Sequence, residues 1–563
     1  MGNPPAYVFK PHERPILPGS PANPDHPHHR RAGYFAVATL IGITGGLGNA
    51  LIAVNLNFAQ GTLGLYSNES AWLTAAYFMT NTTANLLLVK YRQQFGLQSF
   101  VRYVLLAYAL TTVMHLFLHG FWTSVAVRAM SGVAASGLTT LTILYFMQAM
   151  LPPARLYGLM IGIGVPQLAT PLARALSPGL LISGDWHMLY WFELGLALAT
   201  LAAVFTLPLP PSDREKSFEP LDFLAFILFA PGLWLLIAAL SEGRIEWWTD
   251  QPWIGWALAG SVVLIAAGGL VEHHRANPLI NVRWLGTREM IRLMLVAVTV
   301  RILLSEQSFG SVGLLNTLGM INDQMVYLNL IIVAASIAGL ATSVLTFKPD
   351  NVVRPIVIAV VLIVIGSFMD ANASNLTRPS SFYISQALVG FASLLFLAQA
   401  MVIGIARTLL AGGRHFVSFI VLFSLSQGVG GLAGSTLLGT YQVMRERVHS
   451  NELVQQVVLT DPLVAQRLQS GGAAVGRVVG DPTLRSAEGA ALLGQTVARE
   501  ANILAYNDVF FLIGALAILT ALWGVGIYWA MRWRRESSPV VMLQQRIAAA
   551  QAAAAAQGAA KRE

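Results

Sequence analysis

The sequence predicts an all-α polytopic membrane protein, and three observations carry this. Of 563 residues, 55% are hydrophobic and only 11% charged, where soluble domains carry about 25% charged residues. Mean hydropathy is +0.60. Apolar runs long enough to span a bilayer as helix, about 20 residues, recur along nearly the whole chain. No segment between them is large enough for a soluble domain, which excludes a single-span receptor or an anchored enzyme.

Taken in order, the chain begins with "MGNPPAYVFKPHERPILPGSPANPDHPHHRR", rich in Pro and His and without an apolar core. It is unlike a cleavable signal peptide and reads as a disordered cytoplasmic tail, residues 1–32. Fourteen spans follow, near 34–58, 70–89, 100–119, 122–148, 156–181, 187–208, 219–240, 253–271, 290–315, 324–346, 352–369, 380–406, 414–440 and 505–531. With the N-terminus inside, the short inside loops collect Lys90, Arg92, Arg102, Arg155, Arg214, Lys216, Arg275, Arg283, Arg288, Lys348, Arg354, Arg407 and Arg414. The outside loops "GTLGLYSNES", "ISGDW" and "GMINDQ" hold no Lys or Arg, "EGRIEWWTDQP" and "NASNLTRPS" hold one each, and the long loop 441–504 is the exception with several Arg. Basic residues gather in cytoplasmic loops, so this alternation predicts an even span number with both termini inside.

The spans group as 6 + 2 + 6: a bundle over 33–209, a two-helix insertion over 210–285, and a bundle over 286–532 that contains a long outside loop, 441–504. Trp247, Trp248, Trp253 and Trp256 mark the outer turn of the insertion, as an interfacial belt. Residues 533–563 form an Ala-rich cytoplasmic tail. The net charge of +8 is scattered over short loops, which argues for topology and against nucleic-acid binding. No cysteine is present, so disulfides and thiolate metal sites are excluded. No Gly-x-x-x-x-Gly-Lys-Ser/Thr loop occurs, which argues against ATP-driven transport. His115 and His119 have the i, i+4 spacing of metal ligands but no carboxylate nearby in sequence, and read as interface histidines. No cofactor and no metal is expected.

Several stretches resemble one family in order and spacing: "AWLTAAYFMTNTTANLLL", "RAMSGVAASGLTTL", "WHMLYWFELG", "EPLDFLAFIL", "EHHRANPLINVRWL", "FGSVGLLN" and "YNDVFFLIG". From about residue 34 to 531 the chain resembles the fourteen-span drug:proton antiporters of the major facilitator superfamily, the EmrB/QacA type. The resemblance implies two pseudo-symmetric halves in the cell inner membrane. It further implies proton-coupled efflux of amphipathic, aromatic or anionic small molecules, a periplasmic adaptor protein and an outer-membrane channel. The chain also departs from the family. The loop "VKYRQQFG" keeps Gly96 but lacks the family's Asp, and the acid often seen in the first helix falls at Gly48. "TPLARALSP" keeps Pro171 but puts Arg174 where a small residue is usual, and Glu193 replaces the family's Asn.

Ionisable groups inside spans are costly and usually functional or paired. Here they are Arg128, Arg174, Glu193, Arg301 and Glu306. Span limits put Arg128, Arg174, Glu193 and Glu306 in one layer, roughly 10–14 Å from the outer interface, with Arg301 deeper. Glu306 and Glu193 are the candidate proton sites, and Arg128 joins them through the family motif. Arg174 and Arg301 are candidate contacts for an anionic substrate, with an Arg174–Glu193 ion pair as the structural alternative. In the first span, "GGLGNALIAVNLN", helical spacing puts Asn49 and Asn57 about 80° apart and Asn55 nearly opposite Asn57. Asn49 and Asn57 are therefore expected at the cavity and Asn55 between helices. Asn81 and Asn85 give the second span a polar face, while Gln386, Gln399 and Gln427 read as helix–helix contacts. An organic-anion importer on the same fold remains an alternative, and a membrane-embedded transferase a remote one.

Overall fold

The computed structural model describes residues 19–151, 154–412 and 415–560. The expected tail as far as residue 18, and Arg414 among the expected inside residues, lie outside them. The described residues are 82% helical. A first bundle comprises α1 (His28–Val54), α2 (Ser67–Phe95), α3 (Leu97–His115), α4 (Phe121–Ala149), α5 (Arg155–Leu180) and α6 (His187–Thr206). Two helices follow, α7 (Pro220–Glu242) and α8 (Pro252–His273). The second bundle opens with α9, which runs over Arg288–Leu303, turns π-helical over Glu306–Ser311 and ends as Val312–Thr317. It continues with α10 (Val326–Leu345), α11 (Val353–Asp370), α12 (Tyr383–Leu410), α13 (Phe416–Gln456) and α14 (Pro482–Trp533). In lipid only helices or closed barrels satisfy every backbone group internally, so these long apolar runs become helices.

Among the described residues, twelve helices are long and apolar enough to cross a membrane, against the fourteen expected. The two that fall short are α2 and α9. The first carries Asn81, Thr82, Thr83, Asn85, Lys90 and Arg92 along its length, and the second is divided by its π-helical turn. The segment expected as an outside loop, 441–504, is helical for most of its length. Helix α13 has 41 residues, about 60 Å at 1.5 Å per residue, twice the roughly 30 Å of a hydrocarbon core. It therefore projects well beyond the apolar slab, as α14 does, with a short helix Pro462–Ala474 packed on α14. Both later helices start at an Asp cap followed by Pro: Asp461 accepts from Leu463 N and Asp481 from Thr483 N, each at 2.8 Å.

The described ends of the chain lie on one face, called here the terminal face. Gln148 donates to Ala22 O at 3.0 Å, and Arg546 of the last helix, Pro539–Ala560, donates to Leu410 O. Tyr157 meets Phe347 edge-on across the two bundles on this side. Helix α7 seals the groove between α2 and α13. Phe229 and Ala225 pack with Leu86 and Val421, and Trp234 Nε1 donates to Met79 O at 3.0 Å. Gly96 makes the turn from α2 to α3 with φ +86°, a left-handed conformation, and a Cβ there would sit 2.7 Å from Arg214 Nε.

An ion cluster fastens the insertion to α2 on the terminal face. Lys90 Nζ lies 2.7 Å from both oxygens of Asp222. Arg275 reaches Asp222 at 2.8 Å, Glu219 at 2.9 Å and Glu272 at 2.6 Å. The Arg275 hydrogen bond, helped by Asn277, holds the exposed Glu219 carboxyl below the usual carboxylate range. The Asp222 side chain is fully buried beneath two cations. Removing one member of such a group leaves uncompensated charge and costs about 3–5 kcal/mol. Asp222→Ala is therefore expected to lower the melting temperature of the detergent-purified protein clearly, while Glu289→Ala, on an exposed pair, barely moves it; an unchanged melt for Asp222→Ala would refute the clamp.

Candidate functional site

Between the two bundles lies a cavity of about 110 Å³. Arg174 of α5 faces it from the first bundle. Arg301, Gln307 and Ser308 of α9, Asn329 of α10 and Gln427 of α13 face it from the second. No acidic residue is among its described lining residues. Arg301 Nε donates to Gln427 O at 3.1 Å, and Arg174 donates to Asn322 Oδ1 at 3.2 Å. A larger hollow of about 1040 Å³ sits at the terminal end of the second bundle, between Met290, Ile356, Ile403 and Met531. It belongs to one bundle alone, so relative movement of the halves does not open or close it.

In the first bundle the structural alternative for Arg174 is not realised. The ion pair between Arg174 and Glu193 is not formed, because α5 turns Arg174 toward the second bundle while α6 turns Glu193 inward to α3. Glu193, 1% exposed, accepts from Tyr108 OH at 3.0 Å. The carboxyl group fills the space beside Gly48: a Cβ on that glycine would lie 2.7 Å from Glu193 Oε1 and clash with the Tyr108 hydroxyl. Arg128 is fully buried. It donates to Leu73 O at 3.3 Å, to Gly48 O at 3.2 Å and to Asn49 Oδ1, and its guanidinium lies 4.7 Å from the Tyr77 ring centre. The four groups expected in one charged layer thus divide: Arg128 and Glu193 inside the first bundle, Arg174 between the bundles, Glu306 inside the second.

The asparagines also divide. Asn49 is bound to Arg128 and is not at the cavity. Asn57 is exposed on a separate short helix, Leu56–Leu63. Helix α1 ends at Val54 and Asn55 breaks the helix at φ −116°, ψ 23°, so angular reckoning from Asn49 does not carry past it. Asn55 is interhelical, as expected: it donates to Ser177 Oγ at 2.6 Å and accepts from Asn322 Nδ2 at 3.1 Å. Asn81 donates to Gly132 O at 3.1 Å, joining α2 to α4, and Asn85 donates back to Asn81 O at 3.2 Å. His115 is buried and stacked 4.6 Å from the Tyr190 ring, whereas His119 is exposed, so they share no ligand. No group of three or more candidate metal ligands occurs among the described residues.

Sequence reasoning missed two residues. Asn322, in the loop "GMINDQ", bridges the halves on the face opposite the termini: it takes Arg174 with its oxygen and gives its nitrogen to Asn55 and to Val54 O at 3.3 Å. Asp370, one residue past the expected end of its span, is 2% exposed and shares the amide of Gln386 with Glu306. The approach at Gly48 yields a test. Gly48→Ala is expected to lower the melting temperature, and adding Tyr108→Phe, which removes the clashing hydroxyl, to recover part of the loss. Equal melts for all three proteins would contradict this packing.

No family model and no curated protein matches the chain. Solved structures do. A POT peptide transporter in complex with sulfate aligns with a TM-score of 0.55 at 13% identity, covering 90% of this chain and 96% of that one. The human organic anion transporter MFSD10 aligns at 0.51 and 14% identity over 88% and 100% of the two chains. The nucleoside transporter NupG aligns at 0.52 and 10% identity, also over 88% and 100%. The helix order, the two bundles and these alignments together give the chain the major facilitator fold.

Proposed function

We propose that this chain is a secondary transporter that moves an anionic, amphipathic or aromatic small molecule through the space between its halves by alternating access. The carrying observation is the pair Arg174 and Arg301. They come from different bundles, line one cavity, and have only amide and carbonyl partners among the described residues. A buried cation without an anion is costly, and guanidinium groups suit carboxylate, sulfate and phosphate oxygens. An anionic cargo would supply the missing charge and bridge the two halves. Two proteins of similar fold are described as an organic anion transporter and as a peptide transporter in complex with sulfate, which agrees with this chemistry.

Outward transport in exchange for protons is the mode that the sequence resemblance supports. Glu193 and Glu306 are its proton carriers in this proposal, with Arg128 beside the first. The projecting ends of α13 and α14 are the surface we assign to a periplasmic adaptor and, through it, an outer-membrane channel.

The test is flux of a panel of aromatic carboxylates and sulfonates in proteoliposomes under a pH gradient. Arg174→Gln and Arg301→Gln are each expected to raise the KM for an anionic substrate about tenfold or more, with Lys restoring part. Variants that transport like the wild type would sink the anion reading, and flux indifferent to the gradient would sink the proton coupling. A second prediction concerns the Asn55–Asn322 junction. The chain has no cysteine, so Asn55→Cys with Asn322→Cys adds a single pair. Cross-linking that pair is expected to arrest transport and reduction to restore it; undiminished transport in the cross-linked protein would rule out opening at this face.

A further inference from the structure

The second bundle holds a polar group that the two arginines do not explain. Glu306 opens the π-helical turn of α9, and Asp370 closes α11. Both are buried, at 0% and 2% exposure. Gln386 of α12 donates the same Nε2 to Glu306 Oε1 and to Asp370 Oδ2, at 2.7 Å each. Sharing this one amide donor sets the two carboxyl groups side by side. Their other oxygens, Glu306 Oε2 and Asp370 Oδ1, are buried and meet no donor among the described residues. One carboxylate has no hydrogen to give another; a carboxylic acid does.

Among the described residues, neither acid forms an ion pair, and the hydrogen-bond donor they meet is the Gln386 amide. Arg301, earlier on α9, donates to Gln427 O. Arg244, beyond α7, lies over the Phe309 ring. From α14, Tyr506 packs on Phe309, while Asp508 is taken by Arg445 and His449 at 2.6 and 2.7 Å. Two anions so close, dry and without a cation repel strongly; one proton between them turns repulsion into a hydrogen bond.

The group is also wired to the cavity. Gln307, the residue after Glu306, lines the cavity and donates to Gln386 O at 3.3 Å and to Gln386 Oε1 at 3.4 Å. The planar amide of Gln386 therefore touches both acids with its nitrogen and a cavity side chain with its oxygen. A π-helical turn has one residue more than the α-helix needs, and such turns concentrate at functional sites.

We propose that Glu306 and Asp370 form a carboxyl pair that binds one proton between them, and that Gln386 and Gln307 report its occupancy to the anion cavity. When the proton leaves, the pair carries two charges, Gln386 is drawn onto them, and its long bonds to Gln307 are released. Asp370 is a proton-binding residue, and Gln386 a positioning residue. The proposal rests on the transport reading for its consequence, but the pair itself is tested separately.

Three measurements on the purified full chain decide it. Infrared difference spectra at pH 7 between wild type and the Glu306→Gln/Asp370→Asn protein are expected to contain the C=O band of a protonated carboxyl group. Its absence would overturn the one-proton pair whatever the chain transports. In proteoliposomes, Asp370→Asn and Glu306→Gln are each expected to cut uphill, pH-driven anion flux about tenfold or more, with the double variant no worse than either. Melting curves, and counterflow of the same anion without a pH gradient, separate a folded but uncoupled variant from one that fails to fold or bind. Uphill flux retained by Asp370→Asn, or counterflow lost in a variant with a wild-type melt, would overturn the coupling role. Absence of wild-type counterflow would instead sink the transport reading and leave the infrared result to judge the pair. Gln386→Leu should keep the infrared band and lose the coupling; Gln386→Leu with full coupling would remove the amide from the path.

Discussion

Each charge that this chain carries into its apolar interior has to be answered within the protein, and the architecture follows from where the answers lie. On the terminal face one cluster answers them with opposite charge. Asp222 sits between Lys90 and Arg275, and Arg275 in turn holds Glu219 and Glu272. That group contains three acids and two cations, so it is nearly balanced and fixes the insertion helix α7 against α2. Deeper in, the answers become partial. Arg128 has carbonyls, Asn49 and an aromatic ring in place of a carboxylate. Between the halves, Arg174 and Arg301 have only neutral partners among the described residues. Balance thus falls from the loops to the middle, where unmet charge is most expensive and where a passing solute could meet it.

The first bundle solves a related problem by shape. Glu193 reaches from α6 into a space that exists because position 48 has no side chain. An acid on α1 at that point and an acid on α6 would occupy the same volume. This chain has Gly48 and Glu193, so the carboxyl group enters from the other helix, with the Tyr108 hydroxyl as its donor. The backbone carbonyl of the same glycine accepts from Arg128. One small residue therefore serves the acid through its missing side chain and the cation through its main chain.

The fold was largely legible because it depends on hydrophobic length, which is local. Most span limits lie within a few residues of the helices found, and the even alternation of basic loops agrees with chain ends that share a face. What was not legible was length beyond the slab: α13 and α14 continue as polar helices, and hydropathy ends where the apolar slab ends. The site divides in the same way. Arg174 and Arg301 stood out as charges inside spans, and both line the cavity. Their partners did not stand out, because Asn322 sits in a turn and Asp370 at a helix end, where polar residues are ordinary. Extrapolation at 100° per residue failed for Asn57, since it presumes an unbroken helix and α1 stops at Val54. Pairing failed for Arg174 and Glu193, since two residues at equal depth on adjacent helices can still face opposite ways.

The two ends of the central cavity are closed by different physics. Toward the terminal face, Leu159, Met160 and Leu168 of α5 belong to one apolar cluster with residues of α9, α10 and α12, and Tyr157 lies against Phe347. Separating that seam would expose several large apolar side chains, each worth about 1.5–3 kcal/mol when buried. Toward the other face, the halves are joined by the Arg174–Asn322–Asn55 chain of hydrogen bonds. Each such bond has a net worth of about 1 kcal/mol, somewhat more where a charge takes part, because water replaces it on opening. The second closure is therefore the cheaper one to break. It also includes Arg174, the same side chain that lines the cavity, so an anion that draws this guanidinium inward would take it from Asn322 and weaken the junction from within.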